Sequence, residues 1–295
     1  MHGKERLPYM SAFLIICMVW GLSLVVAYDL LDTGIPPFFL VAVTYGLGAL
    51  TLVPVMAARR SVKITRGELK YGAIVGAIIF IAFGLQTVGL EHTTPAKSGL
   101  LTVLYVLFVP ILISVLRKKL SLKSIIFAAI GFTGIAIMSG ITGGDASMNI
   151  GDVLTIMCAV AFAIQFIALE KYSSRLDPVN FTFIQMLTAT AVALLVSFSF
   201  ETGRYDGMDL IGSWIGLLFM GLIVTGLGFF VQTAVQRKIP ATTISVMCCT
   251  ESVFALIFSW FLGYDTITAP LLVGATLIIL STLLSSRYES RELMD

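Results

Sequence analysis

Apolar residues run along this chain in long blocks separated by short polar stretches. The blocks fall near 10–29, 36–58, 70–90, 96–116, 121–140, 150–170, 178–200, 210–235, 241–262 and 269–286. Each is close to the ~20 residues that an α-helix needs to cross the hydrocarbon layer. They are too long and too evenly apolar for the strands of a membrane barrel. Inside lipid every backbone N–H and C=O must find a partner within the protein, and a helix supplies all of them itself. The pattern therefore predicts an all-α integral membrane fold of ten transmembrane helices. The first block follows Lys4 and Arg6, as the apolar core of a signal peptide would. No small-x-small cleavage site follows, and the chain continues Tyr28-Asp29-Leu30, so the block reads as a retained first helix.

Composition agrees with this map. The 295 residues are 58% hydrophobic and 12% charged, against about 25% charged in soluble domains. Ten spans take roughly 200 residues, which leaves short loops and no room for a soluble domain. The charges that remain give an orientation. With the amino terminus in the cytoplasm, cytoplasmic segments hold Lys4 and Arg6, then Arg59, Arg60, Lys63, Arg66 and Lys70, then Arg117, Lys118, Lys119 and Lys123. They also hold Lys171, Arg175, Arg237, Lys238, Arg287 and Arg291. Of the 19 Lys and Arg residues, the opposite side keeps Lys97 and Arg204. The positive-inside rule then places both termini in the cytoplasm of a multi-pass protein of the cell (inner or plasma) membrane.

The two halves of the chain can be laid on one another. Gln86-Thr87 matches Gln232-Thr233, and Pro95-Ala96 matches Pro240-Ala241 at the start of the following helix. Gly131-Phe132-Thr133 matches Gly274-Ala275-Thr276, and Pro37 matches Pro178. The boundary falls between a first repeat, 1–146 with spans one to five, and a second, 147–295 with spans six to ten. Five is odd, so the second copy enters the membrane from the other side. Inverted repeats of this kind place a substrate site between them near the midplane.

Several stretches resemble the drug/metabolite transporter superfamily, and within it the EamA-type ten-helix transporters. Trp20-Gly21 is similar to that family's opening helix. Thr93-Thr94-Pro95-Ala96-Lys97-Ser98-Gly99 with Tyr105 and Val109-Pro110 resembles its fourth. Gly151-Asp152 and Ala161-Phe162-Ala163-Ile164-Gln165 resemble its sixth, and Glu251-Ser252-Val253-Phe254-Ala255 its ninth. Members often carry Arg in the second helix, where this chain has Thr44-Tyr45, and Leu-Gly-Glu after the ninth, where it has Leu262-Gly263-Tyr264. The resemblance implies two inverted repeats around a central cavity. Helices one, three, four, six, eight and nine line that cavity, and five and ten are peripheral. It also implies a secondary transporter, an exporter of small metabolites such as amino acids or amphipathic compounds.

The polar residues inside the apolar blocks are the candidates for chemistry. Glu251 sits at the middle of span nine, where a carboxylate costs roughly 2.5–3.5 kcal/mol on insertion scales. It either couples a proton or holds a substrate amine, or it ties span nine to a neighbouring helix. Lys97 opens span four and shares a helical face with Tyr105. It either snorkels to the headgroups or holds a substrate carboxylate. Gln86, Gln165 and Gln232 are cavity candidates, as interhelical hydrogen bonding is for Gln185. Trp20, Ser23, Phe229, Phe230 and Phe254 are candidate walls. Gly72-x-x-x-Gly76 and Gly212-x-x-x-Gly216 read as helix-packing spacings. Pro95, Pro110 and Pro240 end or bend helices, and Asp152 caps span six.

The function classes narrow accordingly. The chain carries two histidines, His2 and His92, on opposite sides of the membrane, with no H-E-x-x-H and no Walker A loop. An enzyme and an ATP-driven pump are therefore not expected, nor are a metal or a cofactor. Cys17, Cys158, Cys248 and Cys249 lie in apolar runs and carry no disulfide framework. The net charge of +2, without a basic run or a known module, points away from nucleic acid. The expected partners are a small-molecule substrate and membrane lipids. One chain holds both halves of a cavity, so a monomer suffices and a dimer is compatible. A translocator or scramblase of lipid-like amphiphiles needs no motif and stands as the alternative.

Overall fold

The structure, a computed structural model, describes residues 3–59, 63–116, 122–138 and 148–292. The proposed boundary between the halves at 146/147 lies outside the described residues, as do Arg60, Arg117, Lys118 and Lys119. The described residues are helical, with no strand among them. In chain order the helices are α1 Gly3–Asp32, α2 Pro37–Ala57 and α3 Arg66–Leu90. There follow α4 Pro95–Leu116, α5 Leu122–Met138, α6 Ile150–Ser173 and α7 Pro178–Phe200. The last three are α8 Leu210–Gln236, α9 Ala241–Phe261 and α10 Ala269–Glu292. Among the described residues, eight helices (α1–α4 and α6–α9) are long and apolar enough to cross a membrane. The α5 helix has 17 residues, and the apolar part of α10 is Ala269–Ser281.

Local chemistry explains where the helices begin. Thr65 and Glu68 form a reciprocal capping box at the start of α3, and Asn149 and Asp152 form another at the start of α6. Asp177 accepts from the N–H groups of Val179 and Asn180 and caps α7, while Thr94 caps α4. Proline occupies the first turn of α2, α4 and α7, where its missing N–H costs nothing. Acidic side chains from other helices satisfy further free N–H groups. Glu201, at the end of α7, accepts from Phe38 and Phe39 at the start of α2. Glu170 of α6 accepts from Ala241 of α9, and Asp265 accepts from Ala96 of α4.

Two helices depart from regular geometry. The α4 helix breaks between Thr102 and Tyr105, where Leu104, Val106 and Leu107 donate to carbonyls three residues back. This tightening lies just before Pro110, so the distortion sits N-terminal to the proline rather than at it. In α8, residues Phe219–Leu227 wind as a π-helix, a departure the sequence pattern does not announce. Such wide turns are frequent at functional positions in helices.

Packing pairs α1 with α8 and α9, α2 with α7 and α8, and α3 with α6 and α7. The α4 helix packs on α6 and α9, and α5 lies against α10. Small residues permit the closest approaches. A Cβ on Gly76 would meet the Gln185 carbonyl of α7 at 2.4 Å, and one on Gly21 would meet the Glu251 carbonyl of α9 at 2.8 Å. Gly72 also faces α7, at Ile184, and Gly216 faces Leu30 of α1. Gly212 instead sits over its own cap, Asp209, so that half of the second glycine pair is not a contact between helices.

The outer surface is apolar to a degree that a soluble protein does not tolerate. Phe200 is 81% and Ile211 88% exposed, and Leu195, Phe198, Ile215 and Phe261 are also exposed. Trp214 at the start of α8 and Trp260 at the end of α9 are exposed as well, as aromatic anchors at a membrane interface are. The protein is thus a multi-pass membrane protein whose apolar exterior faces lipid.

Candidate functional site

A small cavity, about 30 Å³ in volume, lies within the bundle. Its lining comes from α1 (Trp20, Ser23, Leu24), α3 (Phe83, Gln86) and α4 (Thr102, Tyr105) on one side. On the other it comes from α6 (Phe162, Phe166), α8 (Val224, Phe229, Gln232) and α9 (Glu251). Both irregular segments reach it. The break in α4 separates Thr102 from Tyr105 while both face the cavity, and Val224 belongs to the π-turn.

Aromatic rings form a continuous wall. Trp20 lies 5.6 Å from Phe229, Phe229 lies 5.6 Å from Phe83, and Phe83 lies 5.0 Å from Phe162. Tyr105 meets Phe166 at 5.0 Å. Most of these pairs are tilted or edge-to-face, the arrangement favoured by the ring quadrupole. Trp20 is fixed further by its Nε1, which donates to the Val224 carbonyl at 3.1 Å. Gly228 makes room for that indole, since a Cβ there would meet Nε1 at 2.7 Å.

Polar groups are few. Gln86 Nε2 donates to Thr102 Oγ1 at 3.1 Å, and Gln232 Nε2 donates to Gln165 Oε1 at 3.3 Å. Gln232 Oε1 and the Tyr105 hydroxyl make no hydrogen bond of normal geometry. The Tyr105 hydroxyl lies beside the Glu251 carboxyl, the one ionisable carboxyl in the lining. The thiols of Cys17, Cys158, Cys248 and Cys249 are buried and unbridged. Among the described residues, no cluster of three or more His, Cys, Asp or Glu is arranged to hold a metal ion.

Of the residues singled out in the sequence, Trp20, Ser23, Gln86, Tyr105, Phe229, Gln232 and Glu251 meet in this lining. Gln165 stands one bond behind it, through Gln232. Phe254 is absent from the lining and stacks on Phe258 of its own helix. Lys97 is also absent from the lining: its Nζ donates to Asp152 Oδ2 at 2.6 Å. The Asp152 carboxylate is fully buried and also accepts from Thr93 Oγ1 and the Asn149 N–H. A buried carboxylate at the start of α6 draws the ammonium more strongly than the apolar interior can. Leu24, Phe83, Thr102, Phe162, Phe166 and Val224 complete the lining. Phe83 and Thr102 lay legible in the sequence, each at helical spacing from a named neighbour, Gln86 or Tyr105. The Lys97–Asp152 pairing joins two helices and had no local signal.

Ion pairs also fasten the helix ends outside the membrane-spanning segments. Arg59 Nη1 donates to Asp177 Oδ1 at 2.8 Å. Burial tends to raise the Asp177 carboxyl, but hydrogen bonds from the Asn180 N–H and from Arg59 outweigh it and hold the group below the usual carboxylate range. Arg204 donates to Glu91 at 2.6 Å, and that bond raises the guanidinium further. Tyr264 donates its hydroxyl to Asp29, and the bond and charge of that carboxylate push the phenol up to about 12.

Comparison with known proteins places the chain. The sequence profile of the EamA-like transporter family matches residues 7–140 and 149–287. An uncharacterized transporter of Archaeoglobus fulgidus is 25% identical over 286 residues, covering 97% of this chain and 88% of that protein. The uncharacterized transporter YvbV of Bacillus subtilis is 28% identical over 286 residues, covering 94% and 90% respectively. One solved protein structure aligns with a TM-score of 0.70 at 17% identity, over 95% of this chain and 97% of the other, a likeness of fold.

Proposed function

The chain belongs to the EamA-like transporter family, and on that premise we propose that it is a secondary transporter that exports small metabolites by alternating access. Amino acids and amphipathic compounds are the substrate classes in view. The observation that carries the reading is the cavity, lined from six helices by aromatic rings, amides and one carboxyl. A lone carboxyl among apolar walls suits a group that binds and releases a charge as the cavity changes sides.

The alternating-access part of the reading rests on two inverted five-helix repeats, 1–146 and 147–295, in ten spans. Helix pairing supports it. Adding five to each helix of the first half turns the α3–α6 contact into α8–α1, α3–α7 into α8–α2, and α1–α9 into α6–α4. The α2–α7, α4–α9 and α5–α10 contacts map onto themselves. A twofold axis relates contacts in this way, and with five spans per half that axis would lie in the membrane plane, so that rocking of one half against the other exposes the cavity to each side in turn. The two stretches matched by the family profile correspond in extent to these halves. The orientation with both termini in the cytoplasm is supported by the loop charges. It also sets the ends joined by Arg59–Asp177 on one side and those joined by Lys97–Asp152 on the other.

The test is reconstitution of the purified chain in liposomes, with efflux of candidate solutes followed with and without a pH gradient. Saturable efflux abolished by Trp20→Ala, in protein that still elutes as a single species, is the expected result. Glu251→Gln further separates a proton-coupled carrier, in which gradient-driven transport disappears, from a facilitator, in which it persists. Movement of fluorescent lipid with no saturable solute flux would replace the reading with lipid translocation.

A further inference from the structure

The cavity's electrostatic character narrows the substrate. Among the described residues, no Lys, Arg or His lines it. Lys97, the nearest candidate by sequence, is held by the buried carboxylate of Asp152 instead. What faces the cavity is of the opposite character. Glu251 supplies a carboxyl, Gln232 has an amide oxygen without a hydrogen bond of normal geometry, and the Tyr105 hydroxyl lies beside that carboxyl. The rings of Trp20, Phe83 and Phe229 present faces of negative quadrupole. An anion entering this space would meet no counter-charge and would lose its hydration. A zwitterion would satisfy its ammonium and leave its carboxylate unpaired, a heavy cost in an apolar surround. A monocation with an apolar body incurs neither cost. Its charge meets a carboxyl and aromatic faces, a pairing strengthened where water is excluded, and its body covers the remaining rings.

We infer that the cavity takes organic cations, amines or quaternary ammonium compounds bearing one aromatic or aliphatic arm, with Glu251 as the counter-charge. The assignment rests on the transporter reading and names its substrate class. Amino acids that keep their carboxylate are excluded by it.

The test uses four compounds of one size and different charge: phenethylamine, benzyltrimethylammonium, phenylalanine and phenylacetate. Binding is read from the melting temperature of the full chain in mild detergent, and transport from uptake of the radiolabelled compounds into proteoliposomes. Benzyltrimethylammonium keeps its charge at every pH, so it separates cation recognition from protonation of the ligand. Phenethylamine and benzyltrimethylammonium should raise the melting temperature and be taken up saturably, while phenylalanine and phenylacetate do neither. Glu251→Gln should weaken binding of both cations by about tenfold or more, as loss of a charge-assisted contact does. Glu251→Asp should restore part of it, and an unchanged ligand-free melting temperature reports that the variants fold. Cations that bind Glu251→Gln as tightly as the native chain overturn the assignment, as does a panel in which no cation binds. Uptake of phenylalanine alone overturns it too, yet leaves the transporter reading intact. Cation binding without saturable uptake of any compound has the reverse meaning: the assignment holds and the transporter reading falls.

Discussion

Lys97 Nζ donates to Asp152 Oδ2 at 2.6 Å, and this contact joins the first turn of α4 to the first turn of α6. The carboxylate is the more buried partner, with no exposed side-chain surface against 20% for the lysine. Removing the ammonium leaves a buried charge held by Thr93 and the Asn149 N–H. Lys97→Ala should therefore destabilise the protein by about 1.5–3 kcal/mol, the range for a hydrogen bond to a charged group. The melting temperature in detergent measures this. Combined with Asp152→Asn, the loss should be smaller than the sum of the two single changes, because both remove one interaction. Binding of a cavity ligand should not change, and a large rise in Kd would return Lys97 to the cavity.

Gly76 governs how close α3 comes to α7. A Cβ placed there would lie 2.4 Å from the Gln185 carbonyl and 2.8 Å from Thr188 Cβ, so even alanine forces the helices apart. Gly76→Val should cost about 1–3 kcal/mol or more by overpacking. Gly203, in the segment between α7 and α8, has nothing within 4 Å of its Cβ position, and Gly203→Val should be near neutral. Thermal melts of the two variants side by side check the contrast.

Much of this arrangement was legible in the chain, and the part that was not has a physical reason. Helix identity follows from apolar blocks and the need to satisfy backbone groups, so each apolar block holds a helix among the described residues, and eight of these are long and apolar enough to cross a membrane. Trp20, Gln86 and Glu251 stood out because a polar or large residue inside an apolar block needs an explanation. Which way a side chain faces is set by rotation about the helix axis, and an apolar block surrounded by lipid and protein carries little periodicity to fix it. Phe254 thus has the character of a wall residue in the sequence but stacks on Phe258 of its own helix. Phe162 and Phe166, one turn apart on α6, carry no local mark that sets them apart from lipid-facing rings, although both line the cavity. The π-turn of α8 and the partner of Lys97 depend on contacts across the bundle, which no local pattern encodes.

The Arg59–Asp177 pair ties the end of α2 to the start of α7, and it gives stability a dependence on pH. Asp177 is held below the usual carboxylate range in the folded protein, against about 3.9 when unfolded. The folded state thus holds the proton less tightly than the unfolded state. The contribution is complete above the unfolded value and is lost as the pH falls through the folded one. Melting temperature measured from pH 6 downwards should drop below about pH 4, and Asp177→Asn should flatten that part of the curve. The variant should also melt lower at neutral pH, because asparagine keeps the cap but not the ion pair. Both partners are partly exposed, so the neutral-pH difference should be small.

Trp20 serves the cavity in two separable ways. Its ring forms wall against Phe229 at 5.6 Å, and its Nε1 donates to the Val224 carbonyl, a group of the α8 π-turn. Trp20→Phe keeps a ring and removes the donor, so it should lower stability by about 0.5–1.5 kcal/mol through the lost hydrogen bond. Cavity binding should fall modestly. Trp20→Ala removes both, and should weaken a cationic ligand further because a face able to attract the charge is gone. Val224 is buried at 2% exposure, so solvent is a poor substitute partner for its carbonyl. Melting temperature and the Kd for benzyltrimethylammonium, measured on both variants, separate the two roles. If Trp20→Phe binds as weakly as Trp20→Ala, the π-turn contact rather than the ring shapes the site, and the aromatic wall loses its part in recognition.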